Sequence, residues 1–253
     1  MLFRSVSQSR YLERLHKKEE NLSHEGDCWV FGNARVYDNA LVYDNACVYD
    51  NAHVYDNARV YDNALVYGKA LIKDYACVYD NARVYDNARV YGNALIKDYA
   101  CVYDNARVYD KALIKGYALV YDKALVYDNA LVYDNALVYD SALVYDNARV
   151  YDNARVYGNA RVYGKALIKD YAHVYGKAQV YGNAYVYNNV CVYDNALIKD
   201  DARVYGKDRY RDYALVYDNP CVYGNALIKD YACVYDNARV YGKALIKGYA
   251  LVS

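Results

Sequence analysis

Threonine is absent from the chain, and glutamate stops early: Glu13, Glu19, Glu20 and Glu25 all precede Cys28. Without threonine there is no threonine ladder, which excludes that route to ice binding. Net charge is missing as well. Lysine plus arginine and aspartate plus glutamate number 31 each, so no bulk field steers nucleic acid or an anionic membrane. No apolar run approaches the roughly 18 residues of a membrane helix. The first residues also lack the apolar core of about 7–15 residues that a secretory signal needs. A calcium-binding β-roll would require a nine-residue Gly-Asp repeat, which does not occur.

What the chain has is one six-residue unit, V-Y-(D/G)-(N/K)-A-x, shown almost without variation from Val120 to Asn153. The aliphatic residue recurs at every sixth position from Val30 to Val252, and no insertion breaks the phase. A fixed period of this kind dictates architecture before local propensity does. Each unit packs only on its neighbours, so length can grow freely. The residues divide into a leader, Met1–Asp27, and a repeat, Cys28–Ser253.

Within each hexad the strand should be A-x-V-Y and the corner D-N or G-K. Alternation sends Ala and Val to one face, x and Tyr to the other. The Val slot holds Val or Ile at 37 of 38 places, Tyr210 being the exception, so this is the inner face. The x slot wanders among Leu, Arg, Cys, His, Gln and Tyr, which a close-packed interior would not permit. Gly and Asn are expected to take positive φ at the corners.

An aliphatic residue at i and a small one at i+4, repeated every six, resembles the hexapeptide-repeat left-handed parallel β-helix family. The resemblance covers the repeat and implies three hexads per triangular coil, as in Val126, Ala130, Val132, Ala136, Val138 and Ala142. One departure is Tyr after the aliphatic, where that family often has Gly or a small acidic residue. The expected fold is therefore all-β: a parallel β-solenoid of about 12–13 coils with a short N-terminal helix. At about 4.8 Å per layer it would be a rod on the order of 60 Å long.

Two readings of the leader stand. Tyr11, Leu12 and Leu15 among basic residues suit a short helix capping the first coil. Alternatively, the Ser- and Arg-rich first 14 residues could target an organelle. The cap is preferred, because Glu19, Glu20 and Glu25 dilute the positive charge.

On the outside, Tyr fills 28 of the 37 slots from Phe31 to Lys247 and should stack into ladders. Lys73, Lys97, Lys115, Lys169, Lys199, Lys229, Lys247 and Arg211 interrupt them. In seven of these eight hexads a Tyr follows two residues later, as if the ring moved to the corner when a cation took its place. A packing or cation–π exchange is preferred to a functional lysine. Leucines such as Leu41, Leu65, Leu119, Leu125, Leu131, Leu137 and Leu143 should form apolar stripes beside the rings, favouring lateral self-association. The strand at Val252 should leave an unpaired edge suited to end-to-end growth.

Cys47, Cys77, Cys101, Cys191, Cys221 and Cys233 fall in the outward x slot, and no two share a face of adjacent coils. Disulfides within the chain are thereby disfavoured, and free thiols point to a reducing, cytoplasmic location. In the repeat, His53 and His173 are far apart and on different faces. Acyltransferases that the resemblance brings to mind use a catalytic His and protruding loops, neither of which this pattern supplies. Arg35, Arg59, Arg83, Arg89, Arg149 and Arg155 spread over all three faces, which argues against nucleic acid. One stretch breaks the rules: Asp208 takes an Ala slot and Tyr210 a Val slot, between Arg209 and Arg211. It is either a binding site or a poor unit that a redundant array tolerates. A buried Asp there should pair with an arginine or deform the coil.

The sequence thus points to a non-enzymatic, self-associating structural or scaffold solenoid. No catalytic or metal residues, cofactor, nucleic acid or membrane span is expected, and the candidate irregular site is Asp208, Arg209, Tyr210 and Arg211. The alternatives are a hexapeptide-repeat acyltransferase relative, or a module that binds a partner protein of unknown kind.

Overall fold

The computed structural model describes Asn21, Leu22 and residues 27–253. The helix expected over Met1–Asp27 and the targeting segment expected over residues 1–14 lie outside the described residues, apart from Asn21, Leu22 and Asp27. The described chain is an all-β parallel solenoid in two compact units, one up to Asp128 and one from Asn129 to Ser253. Strands run from Trp29–Val30 to Leu125–Val126 in the first unit and from Leu131–Val132 to Leu251–Val252 in the second. Taken three to a turn, the 38 strands make twelve to thirteen turns over the two units. Among the described residues no helix is long and apolar enough to cross a membrane.

Each unit has three parallel sheets, within which a strand pairs with the one eighteen residues on. In the first unit Arg83 pairs with Cys101 and Val84 with Val102; in the second Arg161 pairs with Gln179 and Val162 with Val180. The ladder also takes in the flanking Ala and Tyr. The Arg35 amide donates to the Ala52 carbonyl at 2.9 Å and the Tyr37 amide to the Val54 carbonyl at 3.1 Å. Three hexads therefore close one turn, as the resemblance implied.

The interior is made of the Val/Ile and Ala slots. Val36 to Val234 and the alanines between them are buried almost without exception. Each buried Val contributes about 1.5–3 kcal/mol before conformational entropy is set against it. Because the Ala beside it is small, the chain can turn sharply without leaving a void.

The corners differ from expectation in one respect. Positive φ falls on the first corner residue, Asp or Gly, not on the Asn that follows: Asp38 has φ 57°, Asp86 56° and Asp134 56°. Asp tolerates this region because its short polar side chain can bond locally. Here the carboxylate also reaches the next turn. The Gly116 amide donates to Asp98 Oδ2 at 3.1 Å and the Asp98 amide to Asp80 Oδ2 at 3.2 Å. In the second unit the Gly158 amide donates to Asp140 Oδ2 at 3.0 Å. The following Asn residues make their own amide ladder, as where Asn33 Nδ2 donates to Asn51 Oδ1 at 3.3 Å.

Ahead of the first regular turns, the Asn21 side chain is buried and its Nδ2 donates to the carbonyls of Ala40 at 2.7 Å and Asp38 at 3.1 Å. Leu22 forms a parallel bridge with Val42.

Inside and outside can be separated by a matched pair of substitutions. Val108→Asp, which buries a carboxylate, should cost at least about 3 kcal/mol. Arg107→Asp, one residue away and facing solvent beside Arg89, should stay within about 0.5 kcal/mol of wild type. Urea unfolding followed by hydrogen exchange in the flanking turns measures both.

Candidate functional site

Four features of the outer surface and the irregular turn bear on function: the aromatic ladders, the cations that break them, the Asp208–Tyr210 segment, and a groove beside Cys221.

The ladders form as expected. In the first unit Phe31, Tyr49, Tyr67, Tyr85, Tyr103 and Tyr121 stack in series at 4.8–4.9 Å between centroids, with planes within 4°. Centroids at this separation are offset rather than eclipsed, the favourable geometry for rings. Mutual burial raises the phenol pKa values, pushing Tyr151 and Tyr175 up to about 12.

Several of the lysines that replace a ring hold Nζ over a ladder Tyr one turn away: Lys73 over Tyr91 at 5.4 Å, Lys199 over Tyr217 at 5.0 Å. Lys73, Lys169, Lys199 and Lys229 also meet the corner carboxylate next to them, Lys199 at 3.0 Å from Asp200. The displaced corner rings stand out from the surface. Tyr75 is 62% exposed and Tyr117 59%, and pairs such as Tyr99–Tyr117 and Tyr213–Tyr231 stack with each other. The x-slot leucines are less exposed than their pattern suggested. Leu65, Leu119, Leu125, Leu131, Leu137 and Leu143 are half-buried, and among the x-slot leucines only Leu41, Leu245 and Leu251 are exposed.

The irregular segment separates by alternation. Asp208 and Tyr210 point inward and are fully buried, while Arg209 is exposed and Arg211 half-buried. Asp208 pairs with no arginine. Its Oδ1 accepts the Ala226 amide at 2.6 Å and its Oδ2 accepts the Tyr210 hydroxyl at 3.4 Å. Arg211 Nε instead lies 3.5 Å from Asp212 Oδ2. The four residues therefore do not converge on one accessible point.

The coil makes room by extending strands at this corner: Tyr185–Asn188, Arg203–Gly206, Cys221–Gly224 and Arg239–Gly242 have four residues instead of two. Gly206 reaches φ +107°, and a Cβ there would meet the Gly224 carbonyl oxygen at 2.6 Å. Burial pushes the Asp208 carboxyl up to about 6, against the opposing pull of the Ala226 amide and the Tyr210 hydroxyl.

A shallow groove of about 640 Å³ runs along the second unit's outer face. Tyr205, Tyr223 and Tyr241 wall one side, Asp201, Asn219 and Asn237 the other, and Arg203, Cys221 and Arg239 form the floor. A smaller groove of about 420 Å³ is lined by Asn159, Arg161, Lys177, Gln179 and Asn195. Neither was legible from hexads read one at a time. Aligning the sequence in eighteens would have put Arg203, Cys221 and Arg239 in one column.

His53 and His173 each stand edge-on to a ladder Tyr, at 6.4 Å from Tyr37 and 6.2 Å from Tyr157. Burial and then the neighbouring Arg35 or Arg155 lower their pKa values. Among the described residues no group of three or more His, Cys, Asp or Glu is placed to hold a metal. The six outward cysteines are free thiols.

Fold and surface define a β-solenoid repeat protein. The family model for the YdcK β-solenoid repeat matches residues 34–50, 52–68, 58–73, 76–92 and 82–98 in the first unit, and 130–146, 154–170 and 178–194 in the second. These matches span somewhat less than half of the chain and make it similar to that repeat. No curated protein matches the chain.

The Asp208 carboxyl sets a pH dependence. Its folded pKa is raised from 3.8 to about 6, so the folded state holds the proton more tightly. Stability is fully present below about pH 4 and is lost as pH rises to about 6. Asp208→Asn should remove that loss. Its stability relative to wild type should improve by about 2 kcal/mol between pH 4 and pH 7, measured by denaturant unfolding at both.

Proposed function

We propose that this chain is a non-enzymatic scaffold that associates laterally with copies of itself through its tyrosine-rich outer faces. The observation that carries the reading is the displaced corner tyrosines. Tyr75, Tyr99, Tyr117, Tyr171, Tyr213 and Tyr231 are all at least half exposed, although each could have continued a ladder. Exposed rings beside half-buried leucines supply aromatic anchors of the kind found at the centres of interfaces. Lys73, Lys169 and Lys229, which stand beside Tyr75, Tyr171 and Tyr231, are drawn back to the corner aspartates, leaving the tyrosines to make contact. The interior of Val, Ile and Ala is solid, which suits mechanical continuity better than ligand binding.

In the last described turn Leu245, Tyr249 and Leu251 are 56%, 81% and 68% exposed. A further turn of the same repeat, from this chain or a second copy, would cover them, so end-to-end contact belongs to the same reading. The left hand of the coil and its kinship with hexapeptide-repeat proteins rest on the resemblance of the V-Y-(D/G)-(N/K)-A-x unit. A cytoplasmic, reducing location rests on six outward cysteines that the coil keeps apart.

Size-exclusion chromatography with light scattering tests the lateral contact. Wild type should form oligomers that grow with concentration. Tyr99→Lys with Tyr117→Lys, and separately Tyr213→Lys with Tyr231→Lys, should shift the distribution toward monomer without changing the far-ultraviolet circular dichroism. A monodisperse monomer at every concentration overturns the proposal.

A further inference from the structure

The six outward cysteines are not equivalent. In five of them the thiol folds back on its own corner and donates to the carbonyl two residues earlier: Cys47 to Asn45 at 3.8 Å, Cys77 to Tyr75, Cys101 to Tyr99 and Cys233 to Tyr231 at 3.7 Å, and Cys191 to Asn189 at 3.9 Å. Cys221 follows Pro220 instead of Ala, and its Sγ reaches across one turn to the Tyr205 hydroxyl at 4.0 Å. That direction points its thiol into the groove.

The neighbours differ too. Cys221 pairs in register with Arg203 on one side and Arg239 on the other. The other cysteines have at most one arginine beside them. Cys77 lies between Arg59 and Leu95, Cys101 between Arg83 and Leu119, and Cys191 between His173 and Arg209. The one carboxylate lining the groove, Asp201, accepts Asn183 Nδ2 at 3.0 Å on the far wall. Arg203 also lies over the Tyr185 ring, 5.9 Å from its centroid, which anchors one end of the guanidinium pair. At the other end the Tyr241 ring is turned 75° to Tyr223 and stands half out of its ladder, opening the groove.

We infer that this groove is a thiol-exchange site, in which Cys221 forms a mixed disulfide with low-molecular-weight disulfides that carry carboxylates. Guanidinium groups recognise carboxylates through paired, charge-assisted hydrogen bonds, so Arg203 and Arg239 bring the reagent to the sulfur between them. The Cys221 proton leaves to solvent and the thiolate attacks one sulfur of the reagent. The reagent's S–S bond breaks, a new S–S bond forms to Cys221, and the second half departs as a thiolate that solvent protonates. The Tyr205 hydroxyl, freed from accepting the thiol proton, turns to donate to the thiolate. No net oxidant is needed beyond the disulfide itself. Attachment there would place an anionic group on the scaffold's aromatic face and alter its contacts reversibly.

The test uses the full chain and two reagents, the anionic dithiobis(nitrobenzoate) and the neutral dithiodipyridine, each below stoichiometry, with modified peptides mapped by mass spectrometry. With the anionic reagent Cys221 should react about tenfold faster than Cys77, Cys101 or Cys191, and added salt should erase most of that advantage. Arg203→Gln with Arg239→Gln should slow Cys221 about tenfold toward the anionic reagent and no more than about twofold toward the neutral one. Arg203→Lys with Arg239→Lys should restore most of the rate. Equal labelling of the outward cysteines, or the same slowing with both reagents, overturns the inference. The salt dependence of wild type decides the matter even if a double variant folds poorly.

Discussion

Backbone hydrogen bonds that hold the strands in register at a fixed step of eighteen residues are the constraint on which everything else in this molecule depends. They run from Ala and Val carbonyls of one turn to the x and Tyr amides of the turn before, and they keep their lengths near 3 Å along each unit. Once that register is set, each side chain is placed above a residue of the same slot. Inside, the result is columns of Val and Ala that close-pack without special fitting. Outside, it is columns of identical polar or aromatic groups, and the chain must make such columns tolerable.

It does so differently for each residue type. Tyrosine rings offset and stack. Asparagine amides are self-complementary, a donor on one meeting an acceptor on the next. Aspartate is the hard case, because stacked carboxylates repel. Many of them, such as Asp74, Asp80 and Asp98, accept a main-chain amide from the adjacent corner, and that bond to an anion is worth more than a neutral one. The same amide belongs to a residue at positive φ, so the carboxylate stabilises the corner its own backbone conformation creates. Lysines in ring positions such as Lys73, Lys169 and Lys199 then pair with a corner carboxylate and cover a ladder face, so charge is balanced locally there as well as in total. These exposed pairs each contribute little, but they recur with the repeat.

How much of this was legible follows from what the six-residue period carries. The period marked Val and Ala as interior and Tyr as a ladder residue, while three sheets to the turn came from the family resemblance. It did not say which corner residue takes positive φ, because Asp-Asn and Gly-Lys both contain one permissive residue and the inter-turn acceptor role of Asp is invisible in one dimension. It overstated the apolar stripes for a related reason: a leucine in the x slot is half covered by its neighbours above and below, and a single strand shows no neighbours. For Asp208 the sequence offered two flanking arginines, but alternation sends Arg209 to the opposite face from Asp208. The partners found, the Tyr210 hydroxyl and the Ala226 amide, come from the same inner face and from the next turn.

The irregular turn and the groove lie on consecutive strands that meet at one corner. Arg203–Gly206 and Cys221–Gly224 extend by two residues where the inner Ala column changes to Val190 and Asp208 and the inner Val column to Tyr210. Larger groups inside require a wider corner, and glycine at Gly206 and Gly224 allows it where a Cβ would strike the adjacent backbone. Alternation along the same strands then puts Arg203 and Tyr205 outside, in register with Cys221 and Tyr223. A poor unit in the interior is thus coupled through the backbone to an outer surface unlike the rest of the array. Only Gly206 and Lys207 lie between Tyr205 in the groove wall and Asp208 in the interior, so the irregular packing and the altered surface share one short stretch of backbone.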